Sequence, residues 1–450
     1  MADRQTIPCR RGIIPAMIRL LLAALLLAGG YPAPRGATFH VDPERGSGEG
    51  DGSEARPWKT LAEVISSGKV RAKDARGGEV NPEGPVKGGD TILLRSGYHG
   101  EVDITGAFLD EVLTVAAEKG QVPKLGHLGC RDAAKWTFRG LEISPSLAPE
   151  FKRQSIAVLG SRGATASRDL VIEDCYLHTV EDASAWTKEE WSGLNKAGRS
   201  CSGIDLEVNS TGLVARNNFI MNVATGINIA GPGALVEGNV VRNFAIDGLR
   251  TMGDNQVLQY NVVKNNRAVD ANHDDGIQAF LYNKGTGTLR GTVTRANIVI
   301  NREDETQPFP GAMQGIGYFD GPLIDFVIER NVVLVDHWHG VSLYDGQNGR
   351  IEGNVVWSRW TAKSELRPWV MLGNTLGQAR GNTVRNNFAF TFDLGKFAEK
   401  ESDNKRVSEA IFQQRLEALE KEIDGKFGRY HPVSRFSRVR HEKAKGAGKK

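Results

Sequence analysis

The stretch LVEGNVVRNFAIDGLRTMGDNQVLQYNVVKNN, residues 235–266, carries one pattern twice. An apolar pair (Leu235-Val236, then Val257-Leu258) precedes an Asn that opens a β-branched pair (Asn239-Val240-Val241, then Asn261-Val262-Val263). Outward from this stretch the Asn motif recurs at Asn218, Asn297, Asn331, Asn354 and Asn387. The intervals along the series are 21, 22, 36, 34, 23 and 33 residues. Three intervals lie near 22, and the longer ones fit the same unit with insertions, which is the behaviour of a solenoid. Leu170-Val171 before Asp174 reads as an earlier, degenerate turn. Three short parallel strands per coil would stack equivalent residues into columns at the ~4.8 Å strand spacing. The Asn is expected at a tight bend, in the left-handed backbone conformation, with its amide bonded to the amides of adjacent coils.

A second landmark fixes the frame: Ser202-Gly203, Thr225-Gly226, Asp247-Gly248, Asp275-Gly276, Gln314-Gly315 and His339-Gly340. The residues before each Gly should form one column, and Asp205, Asn228, Arg250, Gln278, Gly317 and Ser342, two after each Gly, another. The fold expected is therefore all-β, a single-stranded right-handed parallel β-helix. Abundant glycine (53 residues) and hydrophobic residues at only 40% suit many tight turns around a narrow aliphatic core.

The ends differ from this middle. Arg4, Arg10, Arg11 and Arg19 precede the apolar run Leu20 to Ala28 and the small residues Ala28-Gly29-Gly30, the layout of a signal peptide over residues 1–30. The run is too short to span a bilayer. The expected location is secreted or periplasmic. Pro57 to Ile65 reads as a short amphipathic helix closing the coil stack, and Gly89 to Leu94 as a first strand, within a cap and first coils over 31–127. Repeats are assigned to 128–395. A helical segment follows over 396–428, with Val407, Ile411, Leu416 and Leu419 amid many charges and no deep burial. Residues 429–450 hold eight Lys or Arg and one Glu, a solvated basic tail or a contact for an anionic polymer or envelope. Subtracting +3 for residues 1–30 and +7 for the tail from the net +3 leaves −7 for the body. Cys130, Cys175 and Cys201 are read as buried small apolar residues, with a Cys175–Cys201 disulfide as the alternative.

The opening Val41-Asp42-Pro43, Pro57-Trp58-Lys59-Thr60-Leu61 and Gly89-Asp90-Thr91-Ile92-Leu93-Leu94, followed by the coils, resembles the pectate-lyase-like β-helix superfamily over residues 38–395. Asp247-Gly248 followed by Asp274-Asp275-Gly276 is similar to the calcium-binding pairing of family 9 pectate lyases. This chain departs from that family in having Gln278 where a further Asp stands, and Gly315-Ile316-Gly317 where the catalytic Lys is expected. The same carboxylates with His339-Gly340 also resemble the polygalacturonase-type inverting hydrolases, with His339 one landmark later than in that pattern. The resemblance implies a carbohydrate-active enzyme.

β-Elimination on a uronic acid needs the substrate carboxylate neutralised, a base for the adjacent C–H and an acid for the leaving oxygen. Asp247, Asp274 and Asp275 are the expected ligands of a Ca²⁺ that bridges to the substrate carboxylate. Arg250, His273, His337, His339 and Tyr318 are the candidate catalytic residues, and Asn228, Gln278 and Tyr344 the candidate substrate contacts. The function expected is an exported lyase, a monomer, acting on an acidic polysaccharide and not on nucleic acid. An inverting hydrolase, whose two carboxyls the same acidic cluster could supply, and a non-catalytic polysaccharide-binding protein are the alternatives.

Overall fold

The repeats fold as coils of three short strands, for example Leu235–Glu237, Val240–Phe244 and Asp247–Thr251, followed by Val257–Gln259, Val262–Asn266 and Asp275–Ala279. The computed structural model describes residues 36–279, 281, 287–303, 307–359 and 367–428. Among these, equivalent strands of successive coils line up in three long sheets of 16, 12 and 11 strands, and a three-stranded sheet flanks them. The coil strands pair in parallel, only the short strand Ala72–Lys73 beside them pairing antiparallel, and the chain is a right-handed parallel β-helix. The expected signal peptide and basic tail lie outside the described residues.

An amide ladder fixes the register. Asn218 Nδ2 donates to Asn239 Oδ1 at 2.9 Å, Asn239 to Asn261 at 3.0 Å, and Asn261 to Asn297 at 3.0 Å. The series continues through Asn331, Asn354 and Asn387 to Asn404. Each Oδ1 also accepts the backbone N–H of the preceding ladder Asn, as Asn261 Oδ1 does from Asn239 (3.0 Å) and Asn297 Oδ1 from Asn261 (2.9 Å). Cys175 holds the ladder position in the degenerate coil, and its N–H donates to Asn218 Oδ1 at 3.1 Å. The left-handed residue is the one before each ladder Asn, not the Asn itself: Asn217, Gly238, Tyr260, Ala296 and Arg330 have φ of 50°, 65°, 58°, 52° and 56°. The Asn side chain must point into the coil, so its neighbour takes the bend.

The two sequence landmarks meet in space. A Cβ on Gly226, Gly248, Gly276, Gly315 or Gly340 would come within 2.6 Å of Val241, Val263, Val299, Val333 or Val356, the second residue after the next ladder Asn. Each of these five glycines is where the backbone crosses over an inner valine, and Gly203 crosses Ile220 in the same way. Larger residues would push the third sheet outward.

Three boundaries differ from the sequence reading. The first strand is Thr38–Val41, which pairs with Thr91–Leu94 one coil on, and its half-buried pattern left little signal. The cap helix spans only Leu61–Ser66, with Thr60 as N-cap and Leu61 and Val64 buried, while Trp58 stacks on Phe39 at 5.2 Å. Coil strands also run past residue 395 to Ala398–Ser402 and Lys405–Arg406, so the helix of the 396–428 segment is Glu409–Phe427. That helix is more deeply seated than expected. Phe412, Leu419 and Ile423 are buried against Ile298, Ile300, Val332, Leu334 and Val355 on the outer face of the second sheet. Each such burial contributes roughly 1.5–3 kcal/mol. Cys130, Cys175 and Cys201 are all buried and free, so the alternative of a Cys175–Cys201 disulfide is not realised.

Asn297→Ala would strand the Asn261 N–H in the interior, at about 1–3 kcal/mol for a buried group left unpaired, while Asn331 Oδ1 keeps the backbone N–H of residue 297. Denaturant unfolding is expected to show a lower midpoint for Asn297→Ala than for Asn404→Ala at the half-buried end of the ladder. Equal, small shifts would contradict a register set by the amides.

Candidate active site

The register places the expected columns on the outer face of the third sheet. Asp247, Asp275 and Gln314 pair in one column. Asp205, Asn228, Arg250, Gln278, Gly317 and Ser342 form the other. A cleft of about 490 Å³ opens here, lined among others by Asp247, Arg250, His273, Gln278, Phe319 and His339.

Two stacked carboxylates would repel unless offset, and here they are offset by protein groups. Arg250 Nε donates to Asp247 Oδ2, and the Asp275 backbone N–H donates to Asp247 Oδ1 at 2.8 Å. Asp275 Oδ2 faces His273 Nδ1 at 3.1 Å and accepts from Gln278 Nε2 at 3.1 Å. Asp274 is turned away to Asn272, whose Nδ2 donates at 2.6 Å. Burial raises all three carboxyls, Asp274 to about 8 and Asp275 to about 7. Arg250 opposes the rise at Asp247, and His273 opposes it at Asp275.

The expected calcium does not fit this donor arrangement. Asp247 has one oxygen on Arg250 and the other on a backbone amide, and Asp274 points elsewhere. Among the described residues, no three His, Cys, Asp or Glu side chains gather as a metal-binding group.

The histidines are the groups of this cleft whose chemistry allows proton transfer, and their surroundings push them in opposite directions. His273 is exposed to the cleft, and its bond to Asp275 raises it above its ordinary value. Nδ1 is committed to Asp275, so neutral His273 presents its lone pair on Nε2. His337 and His339 are half-buried and pushed down to about 4 by burial, so both stay neutral. Trp369 Nε1 donates to His339 Nδ1 at 3.3 Å, and Ser342 Oγ lies 2.8 Å from the same atom. An indole N–H can only donate, so His339 carries its proton on Nε2 and is a hydrogen-bond donor. His337 Nδ1 accepts the His339 backbone N–H at 3.0 Å and its ring stacks on His339 at 5.3 Å. Phe319 stands edge-on to both His273 and His339, with ring centroids 6.2 and 5.0 Å away.

Other candidates fall differently. Tyr318 is not at the site: it is fully buried in the coil interior, where its hydroxyl meets Thr294. With Gly317 facing outward, strand alternation turns Tyr318 inward. Tyr344 packs behind Phe319 at 5.2 Å, and Asn228 donates to Asp205 Oδ1 at 2.7 Å one coil before Arg250. Trp338, between His337 and His339, is 42% exposed, not buried. Phe319, Ser342 and Trp369 were not singled out as functional from sequence. Ser342 lay in the second column, and Phe319 follows from the same parity that excludes Tyr318.

Gly317 makes the dyad possible, because a Cβ there would lie 2.2 Å from Asp275 Oδ1. Gly317→Ala is expected to displace the carboxyl and return His273 toward its ordinary titration, read from its ring resonances. Gly48→Ala, with nothing within 4 Å, is the control. An unchanged His273 titration in Gly317→Ala would contradict this geometry.

No family model matches the chain, and no curated protein does. Among solved structures it is similar to the lacto-N-biosidase of Eubacterium ramulus, with 11% identity over 83% of this chain and 68% of that one at a TM-score of 0.49. The mannuronan C-5 epimerase A-module of Azotobacter vinelandii shares 13% identity over 71% of this chain and 91% of that module, at 0.44. A pectate lyase shares 13% over 81% and 78%, at 0.39. These identities concern the course of the backbone alone.

Proposed function

We propose that this chain is an exported polysaccharide lyase that cleaves a uronate-containing polysaccharide by β-elimination in the cleft on the third sheet. The observation that carries the reading is the Asp275–His273 dyad beside Arg250 in one cleft. Arg250 neutralises the uronate carboxylate, which makes the adjacent C5–H acidic. His273 Nε2 takes that proton, held in orientation by Asp275. The electron pair forms the C4–C5 double bond, and the C4–O bond breaks. The leaving oxygen then takes the proton back from His273, so atoms and charge balance without an outside reactant. His339 Nε2–H donates to the carboxylate as negative charge builds on it.

Hydrolysis by inversion would need two carboxyls flanking the scissile bond with room for a water. Asp247 and Asp275 are instead stacked on adjacent strands and bonded to protein groups, which favours elimination.

Incubation with alginate, polygalacturonate and mixed uronate polymers, in the presence of a chelator, is expected to raise the ultraviolet absorbance of unsaturated uronates. His273→Ala should lower kcat by about 10²- to 10⁴-fold. The neutral form of His273 is the base, so the rate should rise with pH through a midpoint above the ordinary histidine value of about 6.5. Asp275→Asn removes the group that raises it and should move that midpoint down. New reducing ends without absorbance would replace this reading with hydrolysis, and activity lost on chelation would restore the calcium.

A further inference from the structure

Trp338 stands apart from the other described tryptophans. Trp58, Trp136, Trp186 and Trp191 are buried, and Trp357 and Trp369 are half-buried, whereas 42% of Trp338 is open to solvent. Single exposed apolar side chains are ordinary on a protein surface. What distinguishes this one is how firmly it is held and where.

The Trp338 carbonyl accepts the N–H of Gly340 at 2.9 Å and that of Trp369 at 2.8 Å, which ties the residue to its own coil and to the next. Its ring packs on His337 with centroids 4.6 Å apart, on Trp369 at 6.4 Å and on His339 at 6.2 Å. An indole fixed in this way gives up little freedom when a ligand covers it.

The position is in line with the cleft. From Gln278, bonded to Asp275, the column runs through Gly317 to Ser342, whose hydroxyl meets His339. That is two coils, about 10 Å along the axis at the usual strand spacing. Trp338 adjoins His339 at this far end. A polymer laid along the column, with its reacting unit at Arg250 and His273, continues over the indole.

We propose that Trp338 is a stacking platform for a pyranose unit of the same polymer, bound beyond His339 from the reacting unit. A pyranose ring carries C–H bonds on its faces and hydroxyls around its rim, and the face of an indole is apolar and electron-rich. Stacking takes both surfaces out of water while the hydroxyls stay solvated. The rings around Trp338 are uncharged, because burial pushes His337 and His339 down to about 4. Shape and C–H contact therefore hold this unit, and Arg250 serves the carboxylate of the reacting one. The inference rests on the lyase reading for the identity of the polymer.

The test titrates hexamers of mannuronate, guluronate and galacturonate against the full chain carrying His273→Ala, so that bound hexamers stay intact. At least one hexamer is expected to bind. Adding Trp338→Ala should weaken it about tenfold, and Trp338→Phe should recover most of the loss. Val112→Ala, which truncates another exposed apolar side chain on the strand Phe108–Ala117 of the first sheet, should change nothing. With 5-fluorotryptophan incorporated, the fluorine resonance that Trp338→Phe removes should shift as the hexamer binds. A bound hexamer that leaves that resonance unmoved overturns the platform, as does unchanged affinity in Trp338→Ala or no binding by any of the three. Absorbance from the parent with uronate polymers decides the lyase reading separately. Trp338-dependent binding without unsaturated product overturns that reading alone, and cleavage without such binding overturns the platform alone.

Discussion

Everything on this molecule's working face depends on one repeated contact, the amide-to-amide hydrogen bond between ladder asparagines. A β-helix coil has no sequence-local partner that fixes its register, because each strand pairs with residues about 22 to 36 positions away. A slip of one residue would turn every inward side chain outward. The ladder removes that freedom. Each Asn donates to one neighbour and accepts from the other, in a fully buried column where a missed bond leaves polar groups without water.

The landmark glycines carry this register to the third sheet. Each lets the backbone pass over an inner valine belonging to the next ladder motif, so the Asn column and the site columns move as one body. Asp247 and Asp275 are therefore adjacent by construction. Their repulsion is relieved in three ways: a guanidinium and a backbone amide on Asp247, and the His273 imidazole on Asp275. The same relief orients His273. On the far side of Phe319, an indole and a serine hydroxyl hold His339 in the opposite tautomer. One cleft thus holds a proton acceptor and a neutral donor, each defined by what sits behind it.

Much of this was legible in the sequence. The Asn and Gly landmarks located the Arg250 column residue by residue, and Asp247, Asp275 and Gln314 of the other. What escaped followed from side-chain direction within a strand or loop. Tyr318 drew attention as a titratable group, yet parity with Gly317 sends it inward and brings Phe319 out. The calcium reading counted carboxylates in a column but not the bonds made to them by Arg250, three residues along the same strand, and by a backbone amide. Asp274, next to Asp275, faces Asn272. In the C-terminal helix, the stripe Phe412, Leu416, Leu419, Ile423 and Phe427 has helical spacing, but the sequence reading of Val407, Ile411, Leu416 and Leu419 passed over Phe412, Ile423 and Phe427, which complete the packed face. Thr38–Val41 is too short and too half-buried to announce a strand.

Opposed environments for two histidines of one cleft are the central claim, and they can be measured without substrate. Long-range proton–nitrogen NMR of the parent protein reads the tautomer and titration of each ring directly. His273 should keep its proton on Nδ1 when neutral and titrate above the ordinary histidine value, while His339 should carry its proton on Nε2 and stay neutral down to about pH 4. Both rings titrating together near the ordinary value, or His339 protonated on Nδ1, would contradict the account.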